Sequence, residues 1–339
     1  MSESPASVPT TAPTSEPTTA PAAAPASDPA SNGFIDSAWR DQAVWSEAAG
    51  RLKSALGTWR VIAAVAGGLG ALLTTLAGTL AHFGAQLGND GNHYRVAVAG
   101  AGTLLLALVP YVLKARVSTE QVRAWIRARA AAEALKETIY RYLVGAAPYA
   151  PTPTPADLVR RCQAIKQGLS DLGALAATVE PKPKSRPSTL TVDEYAEQRV
   201  AGQVNGYYYP SARKNALKAR RLRGLEFSLS LLATLLAAVA GLSEAVGAEW
   251  LGEFGAWAAV ATTIAGAITA HIAASRFDHQ ATVYFSTAER LRGLRDEWLA
   301  SPDRLLPDNA LAFVDNCERA ISAENEAWLA EWSANKTEG

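Results

Sequence analysis

The side chains able to do chemistry are few, and their spacing is wrong for most of it. Two cysteines, Cys162 and Cys317, form no CxxC pair. Four histidines, His82, His93, His271 and His279, show no metal-ligand spacing. A disulfide framework or zinc site needs such partners at short range, so neither is expected. The dipeptide GK never occurs, which excludes a P-loop, and GxSxG and HExxH are absent as well. Gly67, Gly68 and Gly70 lie inside an apolar run rather than after a strand, so they make no dinucleotide fingerprint. The expectation is a chain that is not an enzyme, with no catalytic residue, no bound cofactor and no metal.

The other patterned residues are small ones. Ala66, Gly70, Thr74 and Gly78 step by four, as do Ala258, Thr262, Gly266 and Ala270, with Ala274 beyond. Small residues at this spacing let helix backbones approach closely inside a membrane, and threonine can hydrogen-bond across the contact. Two readings stay open. The faces pack helix against helix, or some line a pore in an oligomer, with Thr74, Thr75, Thr262 and Thr263 as its weakly polar lining. No acid or base sits deep in the apolar runs. Ion-coupled carriers usually keep one there, so a carrier is disfavoured. His82 and His271 fall near run ends, where interfacial anchoring is expected.

These faces belong to four long uncharged windows. Residues 61–83 and 96–113 form the first pair. Residues 227–243, within a span of about 225–246, and 254–275 form the second. Each reaches the ~17–25 residues that cross a hydrocarbon core. Apolar residues make up 49% of the 339 and charged residues 19%, below the ~25% of soluble proteins, because charge is excluded from these windows. The expected fold class is all-α: a polytopic membrane protein with four transmembrane helices in two tandem hairpins, plus long cytoplasmic helices. Pro110 should kink the second span. Basic residues cluster before the first and third windows and after the second and fourth. The loops 84–95 and 244–253 hold one base and none. By the positive-inside bias, both termini and the middle region face the cytoplasm of a multi-pass cell-membrane protein.

With 32 basic and 32 acidic residues the net charge is zero. The basic runs 114–129 and 213–223 lack interleaved aromatics, so they read as anchors for anionic lipid rather than a nucleic-acid site. Residues 1–33 are Pro, Ala, Ser and Thr without bulky apolar side chains. They read as a disordered tail and lack the basic and apolar regions of a signal peptide. Beyond the windows the periodicity is helical. An entry helix covers 34–60, and the second span runs on into a cytoplasmic helix through Val122, Trp125, Ile126, Leu135, Ile139 and Tyr142. Further helices cover about 156–179, 192–224, 277–300 and 308–334.

The halves repeat this order. AAEALKETIYRYL (131–143) aligns with TAERLRGLRDEWL (287–299), and LVRRCQAI with FVDNCERA, which places Cys162 opposite Cys317. The chain divides into a first unit at 34–180, a linker at 181–190 and a second unit at 191–335.

The segment EYAEQRVAGQVNGYYYPSARKNALKARR before the third span, YFSTAERLRGLRDEW after the fourth, and FVDNCERAISAENEAW near the end resemble the SLATT domains. These are two-transmembrane effector modules found beside nucleotide-second-messenger synthetases and nucleotide-sensing domains in bacteria. The first unit looks like a second, more divergent copy. The resemblance implies a homo-oligomer in the lipid bilayer, acting as a pore-forming effector of a conflict or nucleotide-signalling system. A separate nucleotide-sensing or signalling protein would supply the trigger, and nucleic acid is not a partner. It also implies that Glu289, Glu318, Glu324 and Trp328 are cytoplasmic packing and assembly residues, on coiled-coil-like helices. The alternative is a non-conducting membrane scaffold that recruits a cytoplasmic partner.

Overall fold

The computed structural model describes residues 29–83, 88–149, 153–181 and 185–334, with side chains at all of these but 29–31, 81–83, 88–91 and 324–334. Among the described residues there is no strand. Residues 1–28 of the expected tail lie outside them, and residues 29–33 begin the first helix.

That helix, α1 (Pro29–Phe83), joins the entry segment and the first span without interruption. After α2 (Gly88–Arg116), the second span, the chain does not run on. It breaks at Val117–Ser118, and α3 (Thr119–Val144) starts afresh. Ser118 is the cause. Its backbone is extended and its side chain accepts from the Gln121 amide, which satisfies one of the four free N–H groups of the new helix. Gly145, at φ 72°, closes α3 in a left-handed conformation. Thr154 caps α4 (Pro155–Gln167) with proline at its first turn, and Thr191 and Glu194 form a reciprocal capping box at α5 (Val192–Tyr195).

Two π-helical stretches follow, Ala196–Ala201 and Val204–Tyr208, and lead directly into α6 (Tyr209–Gly241). The return span is α7 (Glu253–Ser275), and Arg276 turns it into α8 (Phe277–Ala300). Pro307 opens α9 (Pro307–Ala334).

Four helical stretches are long and apolar enough to cross a membrane: Asn32–Leu80, Asn92–Arg116, Val192–Val246 and Glu249–Ala300. Their apolar parts pack in the order α2, α1, α7, α6, so the inner pair α1–α7 joins the two hairpins. Their outward faces show large apolar side chains, among them Val65, Leu69, Leu104, Tyr111, Phe227 and Leu235. In water such a surface would be costly; in lipid it is matched to its solvent.

The remaining helices build a domain with two cores. One gathers Ile35, Trp45, Leu135, Ile139, Leu158 and Cys162 from α1, α3 and α4. The other gathers Tyr195, Val200, Tyr208, Leu291, Trp298, Val314 and Cys317 from the second unit, with Tyr140 and Ala146 from α3 and its C-terminal turn. Helix α3 therefore serves both. The two cysteines occupy buried positions in corresponding helices, one per core. The linker is tied down where Arg186 pairs with Asp36 and donates to the Asn32 side chain at 3.0 Å.

Candidate functional site

The small residues of α1 make the tightest contact in the bundle. Gly70 is buried against Gly102 of α2. A Cβ on Gly70 would lie 2.9 Å from the Gly102 carbonyl oxygen, and one on Gly102 would lie 2.9 Å from the Gly70 oxygen and 2.8 Å from Thr74 Cγ2. Only glycine on both sides permits this approach. The Thr74 hydroxyl turns inward and donates to the Gly70 carbonyl at 3.0 Å. Gly102 was not among the sequence candidates, though the run Gly100-Ala101-Gly102 signals it.

Within the single chain the four-residue seams are buried over only part of their length. In α1, Gly70 and Thr74 face the partner helix, Ala66 is half-buried and Gly78 is exposed, while Ala63 and Ala77 are buried instead. In α7, Ala258 is buried, but Thr262, Gly266 and Ala270 are exposed; the buried set is Ala258, Val260, Ala261 and Ala265. The reason is geometric. Each four-residue step precesses by about 40° around a helix, so three steps leave the contact face, whereas alternating steps of three and four stay on it. Gly68 fits this inner pair, since a Cβ there would meet Ile264 of α7 at 3.4 Å.

The outward face of α7 differs from the other three spans. Every exposed position between residues 254 and 274 is Ala, Thr or Gly, and no large apolar side chain projects from it. The Thr262 and Thr263 hydroxyls donate to carbonyls one turn back, at 2.9 and 2.8 Å. A smooth, weakly polar face therefore stands beside faces of Leu, Val and Phe.

Outside the spans, the central feature is an ion pair that sequence reading half found. Glu318 on α9 is fully buried, and so is Arg199 in the first π-helical stretch. Arg199 donates from Nε and Nη2 to the two Glu318 oxygens at 3.0 and 2.9 Å, a bidentate pairing. Tyr195 donates its hydroxyl to Glu318 Oε1 at 2.9 Å, and the guanidinium lies 5.0 Å from the Tyr140 ring centre. Burial alone would raise the Glu318 carboxyl, but the Arg199 charge and these hydrogen bonds hold it below its ordinary range. Burial pushes the Tyr195 hydroxyl up, as does the Glu318 charge beside it, so it remains a donor. Removing one member of such a pair typically costs about 3–5 kcal/mol, because its partner is left charged and dry.

With no exposed surface, Glu318 cannot reach a second copy. It is a core residue, in keeping with the packing part of the role expected of it. Glu289 is half-buried, accepts from the Tyr209 hydroxyl at 2.5 Å and pairs with Arg292 at 2.9 Å, which fastens α8 to α6. Glu324 and Trp328 lie in α9 where the side chains are outside the described residues. Nearby, Trp298 stacks on Phe313 with ring centres 4.7 Å apart and donates its indole N–H to Asp193.

Comparison with known families finds a match in each unit. The family described as SMODS and SLOG-associating 2TM effector domain 1 matches residues 195–328. A related family, described as a protein of unknown function (DUF4231), matches residues 41–157. No curated protein and no solved structure gives a significant match.

Proposed function

We propose, from the match of residues 195–328 to the SMODS and SLOG-associating 2TM effector family, that the protein is an oligomeric membrane effector that opens a path for ions in a bacterial conflict or nucleotide-signalling response. It acts without catalysis; a separate signalling protein triggers it at native levels, and high protein density assembles it without that trigger. The termini and helical domain face the cytoplasm, where the basic flanks of the spans hold them.

The observation that carries this reading is the outward face of α7. Lipid contact favours bulky apolar side chains, and α1, α2 and α6 present them. A face of Thr262, Gly266 and Ala270 instead suits close approach of another helix or the wall of a wet path. Nothing within 4 Å would meet a side chain placed at Gly266. Gly266→Leu should therefore fold as the parent does while blocking contact between copies. Expression of the parent in a bacterium should depolarise the membrane and arrest growth, and Gly266→Leu should abolish both at equal protein level. Equal toxicity of the two would defeat the reading.

A non-conducting scaffold is the second reading. Leu299, Leu305 and Leu306 stand out from the α8–α9 turn at 47%, 70% and 55% exposure, a fit for a partner protein. It predicts a stable complex through residues 277–334 and no ion flux.

A further inference from the structure

Where the spans meet the helical domain, basic side chains from three helices approach one another without carboxylate partners. Arg60 ends the entry part of α1. Its Nη1 donates to the Ala274 carbonyl of α7 at 3.3 Å, a contact between the two units. A guanidinium carries five donors, so most of its capacity is unused by this bond. One turn back on α7, His271 packs its ring against Phe277 at 5.9 Å, and its Nδ1 is buried with no hydrogen-bond partner. Lys218 of α6 reaches the same aromatic, with Nζ 5.7 Å from the Phe277 ring centre.

The charges of Arg60 and Lys218 both act on His271, and no acid offsets them there. Two carboxylates of the adjoining α6 and α8 are engaged elsewhere. Glu226 accepts from Thr269 at 2.7 Å, and Asp278 pairs with Arg223 at 2.6 Å. Among the described residues no acid pairs with Arg60 or Lys218. Burial works against the charge on Arg60, and among the described residues no acid offsets that cost.

A half-buried guanidinium, an ammonium and an orphaned ring nitrogen, gathered at a membrane boundary, lack one component: an anion with several acceptor oxygens. We propose that Arg60, Lys218 and His271 form a phosphate-binding site that clamps the first hairpin to the second. Phosphate oxygens match the guanidinium fork and the point charge of lysine together, which a chloride or single carboxylate does not. The phosphate can belong to an anionic lipid headgroup of the adjoining leaflet or be free in solution. The proposal requires only that the four helices span a membrane and is independent of conduction.

The test uses the full-length protein in nanodiscs of phosphatidylcholine, with and without phosphatidic acid. Lipid retained per chain is read by native mass spectrometry, and inorganic phosphate binding in neutral nanodiscs by phosphorus NMR. The expected result is selective retention of phosphatidic acid, or binding of inorganic phosphate if the free ion is the ligand. Each basic residue near a membrane surface is worth ~1 kcal/mol, so Lys218→Gln should weaken binding about fivefold and Arg60→Gln with Lys218→Gln about thirtyfold. Arg60→Lys should retain part of the affinity. Lys218 is exposed, so its single variant folds even where the double variant does not. Arg220→Gln with Arg221→Gln, on the same basic run, should leave binding within twofold. Equal loss in that control pair would reduce the effect to diffuse surface charge and overturn the site, as would binding of neither probe or binding indifferent to Lys218→Gln.

Discussion

The Gly70–Gly102 contact makes a prediction whose sign runs against helix propensity. Alanine in place of glycine inside a helix is ordinarily favourable by ~1 kcal/mol. Gly100 and Gly102 lie two positions apart on α2, yet a Cβ at Gly100 meets nothing within 4 Å, while one at Gly102 sits 2.8 Å from Thr74 Cγ2 and 2.9 Å from both the Gly70 oxygen and the Thr74 nitrogen. Two of those three atoms are backbone, so no rotamer change can clear them, and α1 and α2 must separate. Overpacking of this kind costs about 1–3 kcal/mol. The propensity gain is common to both variants and cancels between them. Gly102→Ala should therefore be less stable than Gly100→Ala by about 1–3 kcal/mol. Reversible unfolding of the full-length protein in mixed micelles, followed by circular dichroism across a denaturing-detergent titration, measures the difference. Agreement of the two variants within about 0.5 kcal/mol, the scatter of ordinary surface substitutions, would refute the proposed packing of the first hairpin.

Three further outcomes follow from the same structure. Glu318→Gln should destabilise the extramembrane domain by about 3–5 kcal/mol in chemical denaturation, since Arg199 keeps its charge in a dry core. Because the native Glu318 carboxyl is held below its unfolded value of ~4.3, its contribution is complete above that pH and is lost as the pH falls through the lower native value; a pH series should show this acid limb in the parent and a shallower one in Glu318→Gln. Arg276 is the one non-glycine residue with positive φ among the described residues, at 49°, so Arg276→Gly should exceed Arg276→Ala in stability by about 1–2 kcal/mol, the loss of the arginine side chain being shared. Burial pushes the Cys162 thiol up to about 11 and the Cys317 thiol higher still, so neither should react with maleimide at pH 8 until the protein unfolds, as intact mass will read.

What could be read in the sequence was decided by how local each feature is. The spans were legible because a run free of charge needs no partner to identify it. The repeat was legible because Cys162 and Cys317 recur within matching helices, and the family match to both units agrees. The break before α3 was missed, although Ser118 and Gln121 carry the S-x-x-Q cap pattern; the apolar periodicity on either side concealed it. The small-residue patterns divide in three dimensions, since a pattern of fours looks continuous in one dimension and spirals around a helix: Gly70 and Thr74 pack within the chain, and Thr262, Gly266 and Ala270 face outward. Gly102 needed the position of α1 to acquire meaning. Arg199 is one base among 32, and its partner lies 119 residues away, so only folding distinguishes it from the exposed arginines around it.

The architecture also explains how a signal at the helical domain would reach the bilayer. The α5–α6 rod runs from the Arg199–Glu318 pair into the third span, and α3 ties the cores of both units together. A displacement of α9 would thus act on both hairpins through packed helices rather than through the short outer turns.

The central claim is that copies of this chain assemble through the smooth face of α7 and pass ions. Purified full-length protein, reconstituted in liposomes loaded with a potential-sensitive dye and imposed potassium gradient, tests it most directly. The account predicts collapse of the gradient in proportion to protein density, and its absence with Gly266→Leu. A gradient that persists with the correctly inserted, oligomeric parent protein would contradict it.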